Sequence, residues 1–122
     1  MPHLDRRTVK LSAVAALSAT ALFLIFLQSA TATQIKPQEH VVEIQDFQFA
    51  PNTLQVHPND TIVWVNRDIV PHTATAKDKS WDTGVIKRGE SSTVKITPGI
   101  ATSYFCRFHP GMKATLEIII KE

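Results

Sequence analysis

Seven short apolar segments, at 41–49, 53–56, 61–65, 73–76, 91–97, 102–106 and 114–120, are spread along the chain after residue 38, and turn-forming residues separate most of them. Within them apolar residues alternate, as in Val42/Ile44, Leu54/Val56, Ile62/Trp64, Val94/Ile96 and Leu116/Ile118/Ile120. That two-residue period turns one face of each segment inward and predicts strands. The separators carry turn chemistry of their own. Ala50-Pro51-Asn52, His57-Pro58-Asn59-Asp60, Lys87-Arg88-Gly89-Glu90 and Pro98-Gly99 supply a fixed φ, side-chain capping or a residue tolerant of positive φ. No segment after residue 32 sustains a 3.6-residue period. Six to eight strands at this spacing predict an all-β fold, a Greek-key antiparallel β-sandwich.

The first 32 residues are of another kind. A positive start with Arg6, Arg7 and Lys10 leads into an apolar run over 11–27, and Ala30-Thr31-Ala32 offers a small-residue cleavage site. These features predict an export signal peptide. The alternative is an uncleaved membrane anchor, but the run contains Ser12, Ser18 and Thr20 and falls short of the roughly 20 apolar residues that span a bilayer. Asp5-Arg6-Arg7-Thr8-Val9-Lys10 resembles a twin-arginine signal, which exports a protein already folded. The Sec route fits equally well. Residues 33–38, with Pro37, form a short lead-in, and 39–122 make up one domain. The expected location is the periplasm, with membrane attachment only if the signal is retained.

The formal charge of +2 over the whole chain suggests a basic protein. Most of the excess lies in the first ten residues, and after residue 32 ten cations meet ten anions. A near-neutral domain gives no support for a nucleic-acid partner, which would call for a clustered basic face, and none is expected.

Export places the domain where thiols tend to become disulfides, yet Cys106 is the only cysteine. A buried inert thiol, a bond to another molecule or a metal would each account for it. Its neighbours favour the metal, because His109 follows three residues on, and Met112 three after that. A thiolate, an imidazole and a thioether together suit copper better than zinc, magnesium or calcium. Either sulfur alone would more often be core packing. A second imidazole is needed, and His72, in Val70-Pro71-His72-Thr73, reaches the same end of a sandwich after the 66–71 turn. The predicted arrangement has His72, Cys106 and His109 in a trigonal plane with Met112 as a weak axial ligand, the blue-copper pattern. His40 and His57 read as surface residues, Trp64 as a core aromatic, and Trp81 as covering one end of the sandwich.

From residue 39 to 122 the chain resembles the cupredoxins, the small blue copper proteins that include plastocyanin, pseudoazurin and amicyanin, and it is most similar to amicyanin. The likeness is carried by Val63-Trp64-Val65-Asn66-Arg67 leading to Pro71-His72, by 84–89, and by Tyr104-Phe105-Cys106 through Met112. The short spacing from His109 to Met112 matches the ligand loop of amicyanin. The resemblance implies that His72, Cys106, His109 and Met112 hold one type 1 copper ion. It also implies one-electron transfer between larger redox proteins, a dehydrogenase donor and a cytochrome acceptor, by a monomer that docks transiently near His109. Pro110, Phe108, Ile69, Val70 and Pro71 would ring that docking patch. Two positions depart from the family pattern: Thr73 stands where asparagine usually follows the first histidine, and Gly111 where amicyanin has a bulky apolar residue.

Two other classes of function fit the chain less well. An exported copper carrier or store would use a related site to deliver metal, but such proteins often multiply methionine or histidine, and this domain has one methionine. A Cys-His nucleophile would leave Met112 and His72 without a role and has no third group to orient the imidazole. The chain is therefore expected not to be an enzyme.

Overall fold

The computed structural model describes residues 30–120. The proposed signal segment lies outside them except for 30–32, which are exposed and irregular. Eight strands follow: β1 Glu39–Gln45, β2 Gln48–Ala50, β3 Thr53–Val56, β4 Thr61–Asn66, β5 Thr75–Ala76, β6 Ser91–Lys95, β7 Ser103–Phe105 and β8 Lys113–Ile118. They form two four-stranded sheets, ordered β2-β1-β4-β6 and β3-β8-β7-β5. No helix occurs among the described residues, and so none is long and apolar enough to cross a membrane.

The expected sandwich is present, with two differences of detail. Its sheets are mixed, because β1 pairs in parallel with β4, and β3 in parallel with β8. The other pairs are antiparallel. Parallel pairs arise because the chain changes sheet between β1 and β4 and re-enters from the same end. The second difference is that the run 41–49 is a hairpin rather than one strand. Val42 and Ile44 face inward on even positions and Phe49 on an odd one, so an unbroken two-residue period cannot bury all three. A two-residue turn at Asp46-Phe47, with φ of 52° and 59°, resets the parity and sets Ile44 opposite Phe49.

The core lies between the sheets. Val42, Ile44, Val56, Ile62, Trp64, Ile96 and Leu116 are buried there with Phe49 and Tyr104. Trp64, Tyr104 and Trp81 meet with ring centroids 5.6 Å apart, and Trp81 is half-buried with its indole N–H donating to the Ala101 carbonyl at 2.9 Å. Cys106 and Met112 belong to the same apolar cluster, so the candidate ligands grow out of the core.

One buried acid holds the opening of β1 to the turn before β4. Asp60 accepts from the backbone N–H of Gln38 and of His57, each at 2.8 Å, and lies 2.8 Å from Nε2 of His40. His40 and His57 are thus half-buried around a carboxylate rather than free surface groups. Burial by itself would push the Asp60 carboxyl up, but the hydrogen bonds from His57, Gln38 and His40 outweigh it, and the net shift is downward. A lowered folded-state pKa means that the ionised form favours the fold. Its contribution is complete above the ordinary value of 3.8 and disappears as pH falls through the lower folded value. Asp60→Asn is expected to cost about 2–3 kcal/mol at neutral pH, because charged acceptors of this kind are worth roughly that much. Urea denaturation across a pH series checks it: the gap between wild type and variant should close in acid, and a gap independent of pH would contradict the role given to the charge.

Candidate metal centre

The chain crosses between the sheets at one end of the sandwich, and the crossing segment carries His72. Asn66, at the end of β4, folds this turn from within. Its side-chain amide donates to the carbonyls of Val70 and Ile86 at 2.8 and 2.9 Å, and its Oδ1 accepts from the N–H of Asp68 at 2.9 Å. His72 and Ile86 then exchange two backbone hydrogen bonds, of 3.1 and 2.8 Å. The backbone of His72 is therefore fixed before its side chain makes any contact.

Cys106 directly follows β7, and the loop it opens closes on itself. The N–H of His109 bonds to the Cys106 carbonyl at 3.3 Å, that of Met112 to the His109 carbonyl at 2.8 Å, and that of Cys106 to the Met112 carbonyl at 3.1 Å. These are two successive turns of three-residue span, which explains the Cys-x-x-His-x-x-Met spacing physically. Each candidate ligand occupies a corner of a turn.

The two loops bring three donors together. Sγ of Cys106 lies 3.7 Å from Nδ1 of His72 and 3.8 Å from Nδ1 of His109, and the three donor atoms all fall within 4.8 Å of one another. Cys106 and His72 are fully buried, and His109 is half-buried. Met112, 6% exposed, ends the same loop, with its backbone bonded to both Cys106 and His109. Thr73 joins the loops directly. Its N–H points at the Cys106 sulfur at 3.4 Å, and its hydroxyl oxygen accepts from the N–H of Arg107 at 2.9 Å while sharing a hydrogen bond with Thr75. The side chain that departs from the family pattern still bridges the two loops. Gly111 is not in the left-handed region, and a Cβ there would meet nothing within 4 Å, so this departure leaves open space beside the loop.

Two further residues belong to the site, and sequence reasoning passed over both. Asp68 lies four residues before His72, and its Oδ2 is 2.8 Å from Nε2 of that ring. Burial pushes its carboxyl up, but the N–H groups of Phe47 and Asp46, together with the His72 ring, pull it further down. An ionised carboxylate at Nε2 places the proton there and leaves the Nδ1 lone pair facing Cys106. Phe47, from the β1–β2 turn, stands edge-on to both imidazoles, 4.8 Å from His109 and 5.5 Å from His72 by centroid. The parity break between Ile44 and Phe49 was the available signal for that turn. For Asp68 the signal was only an acid four places from a candidate ligand.

Apolar side chains are exposed on the two segments that carry His72 and His109 and at the turn packed against them. Ile69, Phe47 and Phe108 are 79%, 49% and 47% exposed, and Pro71 and Pro110 are exposed as well, while Val70 is half-buried. The nearest charge on the loop, Arg107, is paired with Asp82 at 2.9 Å.

A family model described as a cupredoxin-like domain matches residues 17–118. No curated protein sequence matches the chain. Among solved structures, a copper(I) form of an amicyanin variant is similar at 22% identity and a TM-score of 0.60, over 66% of this chain and 82% of that one. A reduced copper(I) form of another amicyanin variant, at pH 4, shares 21% identity with a TM-score of 0.60 over 70% of this chain and 87% of its own. A copper-containing nitrite reductase from Thermus scotoductus SA-01 is similar at 21% identity and a TM-score of 0.62. The match covers 75% of this chain and only 25% of that enzyme, so the likeness is to a part of it. At these identities the structures speak for the fold, and the family match with the His72, Cys106, His109 cluster supports copper binding. The chain belongs to the cupredoxin-like domain family.

Proposed function

We propose that this protein is a type 1 copper protein that carries one electron at a time between larger redox proteins, with His72, Cys106 and His109 as the strong ligands of a single ion and Met112 as the weak one. The observation that carries the reading is the pair of Nδ1-to-sulfur separations, 3.7 and 3.8 Å. With bond lengths of roughly 2.0 Å to nitrogen and 2.3 Å to sulfur, one ion would be within reach of both nitrogens and the sulfur at these separations. The donor types fit copper as well as the spacing does, since thiolate and imidazole together accept both its oxidation states.

The chain's own groups fix what such an ion would meet. Asp68 and the His72–Ile86 backbone pair hold one imidazole in place, Thr73 donates to the sulfur, and the core excludes water from that side. Bound copper supplies the redox change by passing between Cu(II) and Cu(I). Ligands held by packing and second-layer hydrogen bonds rearrange little as its charge changes, and this keeps transfer fast. Electrons enter and leave where cover is thinnest, at His109. The apolar surface there suits brief docking with a dehydrogenase as donor and a cytochrome as acceptor. With charges balanced over the domain, association rests on apolar contact more than on long-range steering. The protein acts as an exported monomer in the periplasm, its signal segment removed.

An optical spectrum of the full chain, expressed with export and loaded with Cu(II), tests the reading against Cys106→Ser. An intense blue thiolate-to-copper band that bleaches on reduction and is missing from the variant is expected. A colourless protein that binds Cu(I) and gives it up readily would instead indicate a copper carrier. Thr73→Val removes the hydroxyl but keeps the shape. It should leave the band in place yet weaken copper binding by about 10-fold or more, as losses in the second layer do, and competition with a chelator measures that. Gly111→Ala should leave both spectrum and affinity unchanged and raise stability by about 0.4–1 kcal/mol, since alanine fits the backbone and narrows the unfolded ensemble; thermal melts check this.

A further inference from the structure

The two imidazoles are oriented by different means. The His72 ring is held by the Asp68 carboxylate at 2.8 Å. The His109 ring, among the described residues, has no hydrogen-bond partner besides the Cys106 sulfur, and sits on a loop at the edge of the fold. What restrains it is packing: the Phe47 ring stands edge-on at 4.8 Å and 85°, and the His72 ring lies at 5.0 Å.

Phe47 does not reach that position through the core. It occupies the second place of a two-residue turn in which Asp46 and Phe47 both have positive φ, at 52° and 59°. Such turns favour Asn-Gly or Asp-Gly, and a bulky aromatic residue there needs outside support. Asp68 gives that support. Its Oδ1 accepts from the N–H of Asp46 at 2.7 Å and its Oδ2 from the N–H of Phe47 at 3.0 Å, while Oδ2 also receives Nε2–H of His72. Oδ2 is thus shared between the first histidine and the residue that covers the second.

We propose that Asp68 is a positioning residue for both histidines at once: it holds His72 with its proton on Nε2 and Nδ1 toward Cys106, and through the 46–47 turn it holds Phe47 against His109. The inference rests on the copper reading above. It adds to that reading a pairing of Asp68 and Phe47, neither of which touches the metal position. A carboxylate that only capped the turn would affect stability but not His109, and one that only oriented His72 would be indifferent to residue 47.

Two measurements on the full chain test it. The first needs no metal: long-range 1H–15N spectra of the metal-free wild type should show His72 as the Nε2–H tautomer, and an Nδ1–H or mixed tautomer would overturn the proposal. The second is Cu(I) affinity by chelator competition. Asp68→Ala is expected to lose about 10- to 100-fold, and Phe47→Ala about 2- to 10-fold, the range of an aromatic pair contact. Phe47→Tyr should recover the wild-type value. In the double variant Asp68→Ala/Phe47→Ala the loss should match that of Asp68→Ala alone within about twofold, because Asp68 acts on His109 through Phe47 and its removal already releases that ring. Multiplying losses would break the link, and so would Phe47→Ala binding as tightly as wild type. If Asp68→Ala fails to fold, Asp68→Asn replaces it, since its NH2 must face either the N–H of Asp46 or those of Phe47 and His72, where the carboxylate has an acceptor. A wild type that shows no thiolate-to-copper band would sink the copper reading itself, whereas the tautomer of the metal-free protein still decides the role of Asp68 toward His72.

Discussion

A cysteine sulfur with no solvent exposure, faced by two imidazole nitrogens and one backbone N–H, is the constraint that the rest of the molecule serves. Polar atoms cannot be left unpaired in a core without cost, so each group around the sulfur has to be held from outside. Most of the holders come from the 66–73 segment and one from further along the chain: Asn66 and Ile86 fix the backbone of His72, Asp68 its ring, and Thr73 the cysteine loop. None of them lies within the Cys106–Met112 loop. The sandwich is what brings them together, since β4 and β7 belong to different sheets and end where the chain crosses between them.

Thr73 shows how much of this arrangement depends on chemistry rather than on residue identity. A hydroxyl offers fewer hydrogen-bonding positions than the amide of the family pattern. In the fold the requirement is narrower. The backbone N–H of Thr73 already reaches the sulfur, and what remains is one acceptor for the N–H of Arg107, which a hydroxyl oxygen provides. The same hydroxyl also makes one hydrogen bond within its own segment, to Thr75. A shorter side chain suffices because the loops lie close.

What could be read in the sequence divides along the same line. Alternation at Ile62/Trp64 and Leu116/Ile118 shows which faces turn inward, and the spacing of Cys106, His109 and Met112 reflects two consecutive turns, so strands and ligand loop were both visible. Contacts made across the fold were not. Asp60 reads as a turn residue, and only the packing of β1 beside β4 makes it a buried anchor for Gln38 and His40. Parallel pairing was hidden for a similar reason, because alternation gives the face of a strand but not its direction relative to a partner that is distant in sequence. The 46–47 turn lacks the glycine that usually marks such hairpins, and its support comes from Asp68, more than 20 residues away.

The site is also asymmetric, and the asymmetry follows from topology. His72 sits on a segment pinned at both backbone groups and has no exposure, whereas His109 lies at the middle of a loop and reaches the surface. A metal held between them is therefore fixed by the fold on one side and by a short, self-bonded loop on the other. On the proposed reading the second side must do two things: keep its imidazole in place and leave the ring edge close to a partner. Burying His109 would secure the first and prevent the second. A cover that is itself half-exposed and anchored from below, as Phe47 is by Asp68, satisfies both, because an aromatic edge excludes water from the ring while adding apolar surface to the patch a partner would meet.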